Sequence, residues 1–343
     1  MKQIKNEAQI IARYFYDWLE ECIGAYSPHT IENYKDTMCL YLLYLDENKI
    51  RPNDLSALSF ERDKIVAWIE WLKHKRNSSP QTCNNRLASL RAFIKYISVR
   101  DPKYLTLWMN ACTIKRQETT TKVFEYISPQ AINAVLSAPN PQKKVDYKYM
   151  VLLSFLYSTA ARINEALSIK IKDLKLGNKH PYVMVSGKGN KNRVLSLSPK
   201  MVEHLKRYLK MFHGEDAHDE DAYLWFSHVK GKQFKASQEG VNKKIAEYAT
   251  KAHKVCNEVP LNLHAHSFRH ARATHLLEKG MSIYQLSKFL GHEHIQTTSI
   301  YISVSPMLKA QMISKLEDIN TLKENKKWQD SENTLLSMFG LRR

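Results

Sequence analysis

The residues of this chain best suited to chemistry lie in its second half. They are Arg162 in "STAARINEAL", the lysines of "GKGNKNR", His266 and Arg269 in "HAHSFRHARATHLL", and His292 and Tyr301 in "LGHEHIQTTSIY". A guanidinium matches a pair of phosphate oxygens bidentately. His266 and Arg269 are three apart, one helical turn, and can address the same phosphate. Lys188 or Lys191 on a hairpin tip can reach a DNA groove and deliver a proton to a leaving oxygen. His292 and Tyr301 are nine apart, so one unbroken helix would point them to opposite faces. Gly291 reads as a helix stop and Thr297 or Thr298 as the start of the next helix, which lets both side chains converge on one ligand.

Each of these residues also has a plainer reading. Arg162 can pair with Glu165 three residues on, either as a simple ion pair or with Glu165 orienting it toward a phosphate. "GKGNKNR" lacks the Walker spacing and can equally be a solvated basic turn. His266 and His270, with His264, His275, His292 and His294 nearby, raise the question of zinc. The intervening Ser-Phe-Arg lacks the glutamate of the zinc-protease pattern, and its arginine opposes a cation, so no metal is expected.

The elements that must position these groups are mainly helical. "SPHTIENYKDTMCLYLLYLDEN" and "SPQTCNNRLASLRAFIKYI" carry apolar residues at helical spacing, and both open on serine as cap with proline first in the helix. Such helix starts offer free N–H groups to phosphates, so Thr30 and Thr82, with Arg86, Arg91 and Lys95 along the second helix, are candidate DNA contacts. "KRQETTTK" reads as a linker, "KYMVLLSFLYSTAARINEALSIKIKDL" as the central helix of a second domain, and "YVMVS" and "VLSLS" as a hairpin. Helices are expected to dominate again from residue 199.

Charge narrows the partner. The 343 residues hold 52 Lys+Arg against 34 Asp+Glu, a formal charge of +18. Residues 1–69 are acidic, with 8 basic and 11 acidic residues, whereas 73–116 carry 10 basic residues and Asp101 alone. Segregation of this kind favours a polyanion, nucleic acid first, over a merely soluble basic surface. Five unpaired cysteines (Cys22, Cys39, Cys83, Cys112, Cys256) suggest neither disulfides nor a thiolate site, and no run reaches membrane-spanning length. A cytoplasmic, DNA-associated, prokaryotic protein is expected.

"TAARINEAL", "GKGNKNRVLSL", "HSFRHARATHLLEKG" and "LGHEHIQTTSIY", in this order, resemble the motifs of the tyrosine recombinase (phage integrase) family. "SPHTIENY" and "SPQTCNNRLASLRAF" are similar, more weakly, to its core-binding domain. The resemblance implies a mainly α fold with a small β-hairpin or sheet, arranged as a C-shaped DNA clamp. Its parts would be a helical core-binding domain over 1–114, a linker at 115–122, a catalytic domain over 123–310 and a tail at 311–343. It implies that Tyr301 is the nucleophile and forms a 3′-phosphotyrosyl bond, and that Arg162 and Arg269 stabilise the pentacoordinate phosphate. His266 and His292 would add hydrogen bonds and proton transfer, and Lys188 rather than Lys191 would protonate the departing 5′-oxygen. Cations that stabilise phenolate and transition state together make a phenol serviceable, with neither metal nor cofactor.

Two departures from the family pattern stand out. Ala160 occupies the usual glycine position of Thr-Gly-x-Arg, and Arg272, where an aromatic is common, adds a candidate DNA contact, as do Lys243 and Lys244. Leu335, Leu336, Met338 and Phe339 near the C-terminus need a groove. The resemblance implies that this tail docks on a neighbouring protomer within a tetramer on two duplex sites, with accessory DNA-bending or directionality proteins as further partners. Strand exchange through a Holliday junction is the expected outcome. The alternatives are a type IB topoisomerase-like relaxase and a non-catalytic DNA-binding or architectural protein.

Overall fold

The computed structural model describes residues 7–119, 125–187, 192–214 and 219–305, with 307, 309, 310, 313 and 314. Lys188, Lys191 and the apolar tail lie outside the described residues. The chain divides into two compact units, 1–122 and 123–343.

The first unit is helical: α1 (Glu7–Ala25), α2 (Pro28–Glu47), α3 (Arg62–Arg76), α4 (Pro80–Arg100) and α5 (Leu105–Thr113). Ser27 and Ser79 cap α2 and α4, accepting the N–H of Thr30 at 3.3 Å and of Thr82 at 3.2 Å, with proline opening each helix. One orphan donor of each first turn is thereby satisfied. The core gathers Tyr41, Phe60, Trp68, Leu90 and Phe93, all essentially inaccessible. Tyr41 meets Trp68 edge-on at 5.0 Å and donates its buried hydroxyl to the Ser59 carbonyl at 2.6 Å.

The second unit opens with α6 (Pro129–Ser137) and α7 (Lys144–Thr159). Val151, Leu152, Leu153, Phe155 and Leu156 are consecutive or nearly so and all buried, as in a helix surrounded on every side. The single long helix expected from "KYMVLLSFLYSTAARINEALSIKIKDL" is interrupted. Ala160 takes φ +50°, ending α7, and a short α8 (Ile163–Leu167) follows. Next come β1 (Leu174–Lys175), β2 (Tyr182–Ser186) and β3 (Asn192–Ser196), an antiparallel sheet in that order. Ser186 pairs with Asn192 and Val185 with Arg193, so the expected hairpin is present, with residues 187–191 between its strands.

Then follow α9 (Pro199–His213), β4 (Phe226–Val229), β5 (Lys232–Lys235), α10 (Gln238–His253), α11 (Ala265–Glu278), α12 (Ile283–Leu290) and α13 (Gln296–Val304). The β4–β5 ribbon is a short interruption of the helices that dominate after 199, as expected. Its strands turn at Lys230-Gly231, both at positive φ as a two-residue hairpin turn requires. β5 is exposed throughout, which leaves no apolar alternation to read. Among the described residues no helix is long and apolar enough to cross a membrane.

Candidate active site

Helix ends build the site. The α12 C-terminus closes on Gly291 at φ +64°, with His292 N–H reaching the Ser287 carbonyl at 3.0 Å and Gly291 N–H the Lys288 carbonyl at 3.1 Å. This is a Schellman ending, and the break predicted at Gly291 is present. The glycine is required twice over, because a Cβ here would also run into the Arg193 guanidinium. The Leu290 carbonyl remains at the negative end of the helix, where two guanidiniums take it up: Arg269 at 2.7 Å and Arg193.

Arg269, on α11, is 2% exposed. Beyond Leu290 it donates to the Ala160 carbonyl at 2.7 Å and to His292 Nε2 at 3.0 Å. Burial, then the neighbouring Arg162 and Arg193, bring its pKa down to about 10. An arginine only donates, so His292 Nε2 must carry a lone pair. The proton therefore sits on Nδ1 and is donated to Thr298 Oγ1 at 2.8 Å. Burial and the adjacent Arg269 hold His292 at about 4, fixing the neutral form. Thr298 thus sits inside α13 and orients His292; the helix begins at Gln296, not at either threonine.

Arg162 precedes α8 and stays 40% exposed at its side chain. Its Nη1 meets Glu165 Oε1 at 2.8 Å, while Glu165 Oε2 accepts its backbone N–H at 2.9 Å and Arg193 Nη2 at 2.8 Å. Glu165 is 5% exposed, so one buried carboxylate orients two guanidiniums. Arg162, Glu165, Arg193, His292 and His294 line a cleft of about 540 Å³.

Tyr301 belongs to an apolar cluster with Ala160, Leu277, Leu286 and Leu290, and is 2% exposed. Its hydroxyl lies 3.0 Å from Nδ1 of His270. Burial raises the phenol's pKa, while Arg269 and Arg162 pull it down. Burial depresses His270 to about 3, with His266 and Arg269 adding to the shift. His266 is exposed overall but packs its ring 4.7 Å from that of His270, and partial desolvation at this contact, then Arg269, lowers its pKa.

Sequence reading named His270 only as a metal candidate and did not assign Arg193 or the Thr298 hydroxyl. The place of Arg193 inside "GKGNKNR" and of His270 beside Arg269 were the available signals. His275, another metal candidate, bonds Tyr157 at 2.9 Å and the Ile127 carbonyl at 2.8 Å. Among the described residues no group of three or more His, Cys, Asp or Glu could hold a metal ion.

The remaining candidate contacts are placed differently. Arg86 donates to the Asn33 carbonyl and side chain at 3.0 Å and to Thr37 at 3.1 Å, stapling α4 to α2. Arg91 donates to the Ala111 carbonyl at 2.8 Å and to that of Ile114, closing the end of α5. These guanidiniums are tied up inside the unit. Arg272 lies 5.3 Å over the Tyr157 ring, and Lys244 pairs with Glu247 at 2.6 Å. Thr30 and Thr82 bond the capping serines, whereas Lys95 and Lys243 are exposed.

Arg162 and Arg269 thus stand close enough to the buried Tyr301 to pull its pKa down, beside His270 at 3.0 Å, a set suited to phosphate chemistry. The chain matches the phage integrase family over residues 125–307 and the phage integrase N-terminal SAM-like domain over 11–100. It belongs to the phage integrase family and is a site-specific recombinase of the tyrosine type. A tyrosine recombinase of Pseudothermotoga lettingae is 28% identical over 89% of this chain and 98% of its own. Tyrosine recombinase XerD of Staphylococcus epidermidis is 28% identical over 81% and 89%. Among solved structures, XerH site-specific recombinase bound to palindromic difH substrate, a post-cleavage complex, shares the fold at TM-score 0.66 and 18% identity. That match covers 92% of this chain and 98% of the other. The Tn1549 transposon integrase in complex with transposon right end DNA follows at 0.64 and 17%, over 90% and 99%.

Proposed function

We propose that Tyr301 attacks a DNA phosphodiester, forming a 3′-phosphotyrosyl bond and releasing a 5′-hydroxyl, and that reversal on a partner strand completes recombination through a Holliday junction. Arg162 and Arg269 bind the non-bridging oxygens and stabilise the pentacoordinate phosphate. His266 hydrogen-bonds the phosphate, His292 does so once its Nε2 is released by Arg269 and takes up a proton, and Lys188 protonates the leaving oxygen. The phosphotyrosine conserves the bond for religation, so the reaction draws on no metal or cofactor.

The observation that carries this reading is the charge of the site. Arg162, Arg193 and Arg269 surround one buried carboxylate, Glu165, leaving an excess of positive charge that a phosphate would neutralise. The XerH neighbour was captured on its palindromic difH substrate and the Tn1549 integrase on transposon right end DNA, which supports DNA as the partner here. A tetramer linked by exchange of the C-terminal tail, and accessory proteins, extend the same reading.

Suicide duplexes with randomised cores, incubated in EDTA and denatured in SDS, test it. Wild type should trap a covalent adduct whose DNA, once sequenced, reveals the site, and Tyr301→Phe should trap none. Equal trapping by both proteins would refute the role of Tyr301.

A further inference from the structure

Tyr301 keeps its hydroxyl out of water. The side chain is 2% exposed, and its oxygen lies 3.0 Å from Nδ1 of His270 on α11. A phenol attacking phosphorus must shed its proton, and a buried one cannot hand it straight to solvent. A nitrogen at hydrogen-bond distance can take it directly. His270 follows Arg269 in the chain, so the group proposed to bind the phosphate and the group touching the nucleophile are neighbours on one helix.

The direction of the Tyr301–His270 bond follows from what else acts on the phenol. Arg269 pulls on it through its charge and then a hydrogen bond, and a guanidinium has only donors to offer. The oxygen's lone pairs serve Arg269, and its proton is directed at Nδ1. The groups facing the imidazole are His264, His266 and Arg269 from its own segment, His292 from the α12 end and Tyr301 from α13. Burial, then His266 and Arg269, hold the ring neutral with a pKa of about 3. The lone pair is thereby kept available, but as a weak base. A bound phosphodiester alters this balance. Its negative charge grows as phosphorus becomes pentacoordinate and offsets the cations that disfavour imidazolium, so basicity arrives with the substrate.

We propose that His270 is a further catalytic residue, the general base that takes the Tyr301 proton. As the Tyr301 oxygen bonds to phosphorus, its proton passes to Nδ1. The bond from phosphorus to the 5′-oxygen breaks, and that oxygen leaves with a proton from the separate general acid of the mechanism above. On religation the 5′-hydroxyl attacks and gives its proton back to that acid, the phosphotyrosyl bond breaks, and Nδ1 returns its proton to the phenolate. This role rests on the phosphotyrosyl reading given above.

The test uses full-length His270→Asn and His270→Gln, whose amides can hydrogen-bond the phenol but cannot hold its proton. Single-turnover cleavage of the duplex captured by wild type is followed from pH 6.5 to 9.5 at saturating protein. Both variants should cleave about 10²-fold more slowly at pH 7 with DNA affinity within about threefold, and the deficit should shrink by roughly tenfold per pH unit as hydroxide replaces the base. A fluorinated tyrosine at position 301, whose phenol ionises more readily, should restore most of the lost rate. Sulfur in place of the bridging 5′-oxygen removes the need for an acid and should leave the deficit standing. Wild-type rates at pH 7 would overturn the proposal, as would a deficit constant across pH and unmoved by fluorination, the mark of a structural role. Recovery on the sulfur substrate would place His270 with the leaving group and overturn it too. Wild type forming no adduct would remove the phosphotyrosyl reading and the proposal with it.

Discussion

The arginines of α4 and those around Glu165 look alike in composition but differ in what they bond. Arg86 and Arg91 give their N–H groups to backbone carbonyls, an asparagine and a threonine, with Asp36 3.5 Å from Arg86. Arg86 is left 17% exposed. They join helices, and their positive charge is incidental to that task. Around Glu165 the proportions reverse: Arg162, Arg193 and Arg269 crowd near one carboxylate, and each depresses or reorients its neighbours. A basic stretch in a sequence therefore does not locate a phosphate site. A cluster of guanidiniums short of anionic partners is what the proposed phosphate site offers instead.

This contrast can be broken most sharply by truncation on each side. Arg269→Ala should lower single-turnover DNA cleavage by about 10²- to 10³-fold while the protein still binds DNA. Arg86→Ala should leave cleavage of the folded protein within about threefold of wild type, but cost about 1–3 kcal/mol in urea unfolding by orphaning buried acceptors. A cleavage defect from Arg86→Ala comparable to that of Arg269→Ala would erase the distinction.

Acid should also separate the units. His270 and His292 titrate at about 3 and about 4 in the folded protein, below the ordinary 6.5. The unfolded chain thus takes up protons first as pH falls. Stability tied to the neutral imidazoles is intact above 6.5 and is lost progressively as pH falls toward 4 and below. The described histidines of the first unit, His29 and His74, are exposed, so mild acid should loosen the second unit first. The urea midpoint of the full chain should drop between pH 7 and pH 5, and His270→Asn should flatten that drop. A wild-type midpoint unchanged over this range would contradict the burial of neutral histidine.

The smallest expected effect concerns Ala160. Its left-handed backbone, φ +50°, costs an L-residue roughly 1 kcal/mol, whereas its fully buried methyl packs in the Tyr301 cluster. Ala160→Gly should raise stability by no more than about 1 kcal/mol and leave cleavage unchanged. A marked loss of stability would show that the methyl's packing outweighs the strain.

Much of this arrangement was legible in the sequence because it is local. Serine-proline caps, the Gly291 break, the Arg162–Glu165 pair and the hairpin strands all depend on residues within a few positions of one another. The contacts that complete the site are not local. Arg193 reaches Leu290 across 97 positions and Tyr301 reaches His270 across 31, and neither helical nor strand periodicity records such pairs. The helix-joining bonds of Arg86 and Arg91 are hidden for the same reason: their acceptors lie at least 49 and at least 20 positions away. The β4–β5 ribbon escaped detection because β5 buries nothing.

The most direct measurement identifies the residue joined to DNA. The adduct trapped by wild type on a suicide duplex in EDTA would be digested with trypsin, and the nucleotide-bearing peptide sequenced by mass spectrometry. The modification should fall on Tyr301, within "FLGHEHIQTTSIYISVSPMLK", and Arg269→Ala should yield little of it. A nucleotide attached to any other tyrosine, or to a serine, would contradict the account.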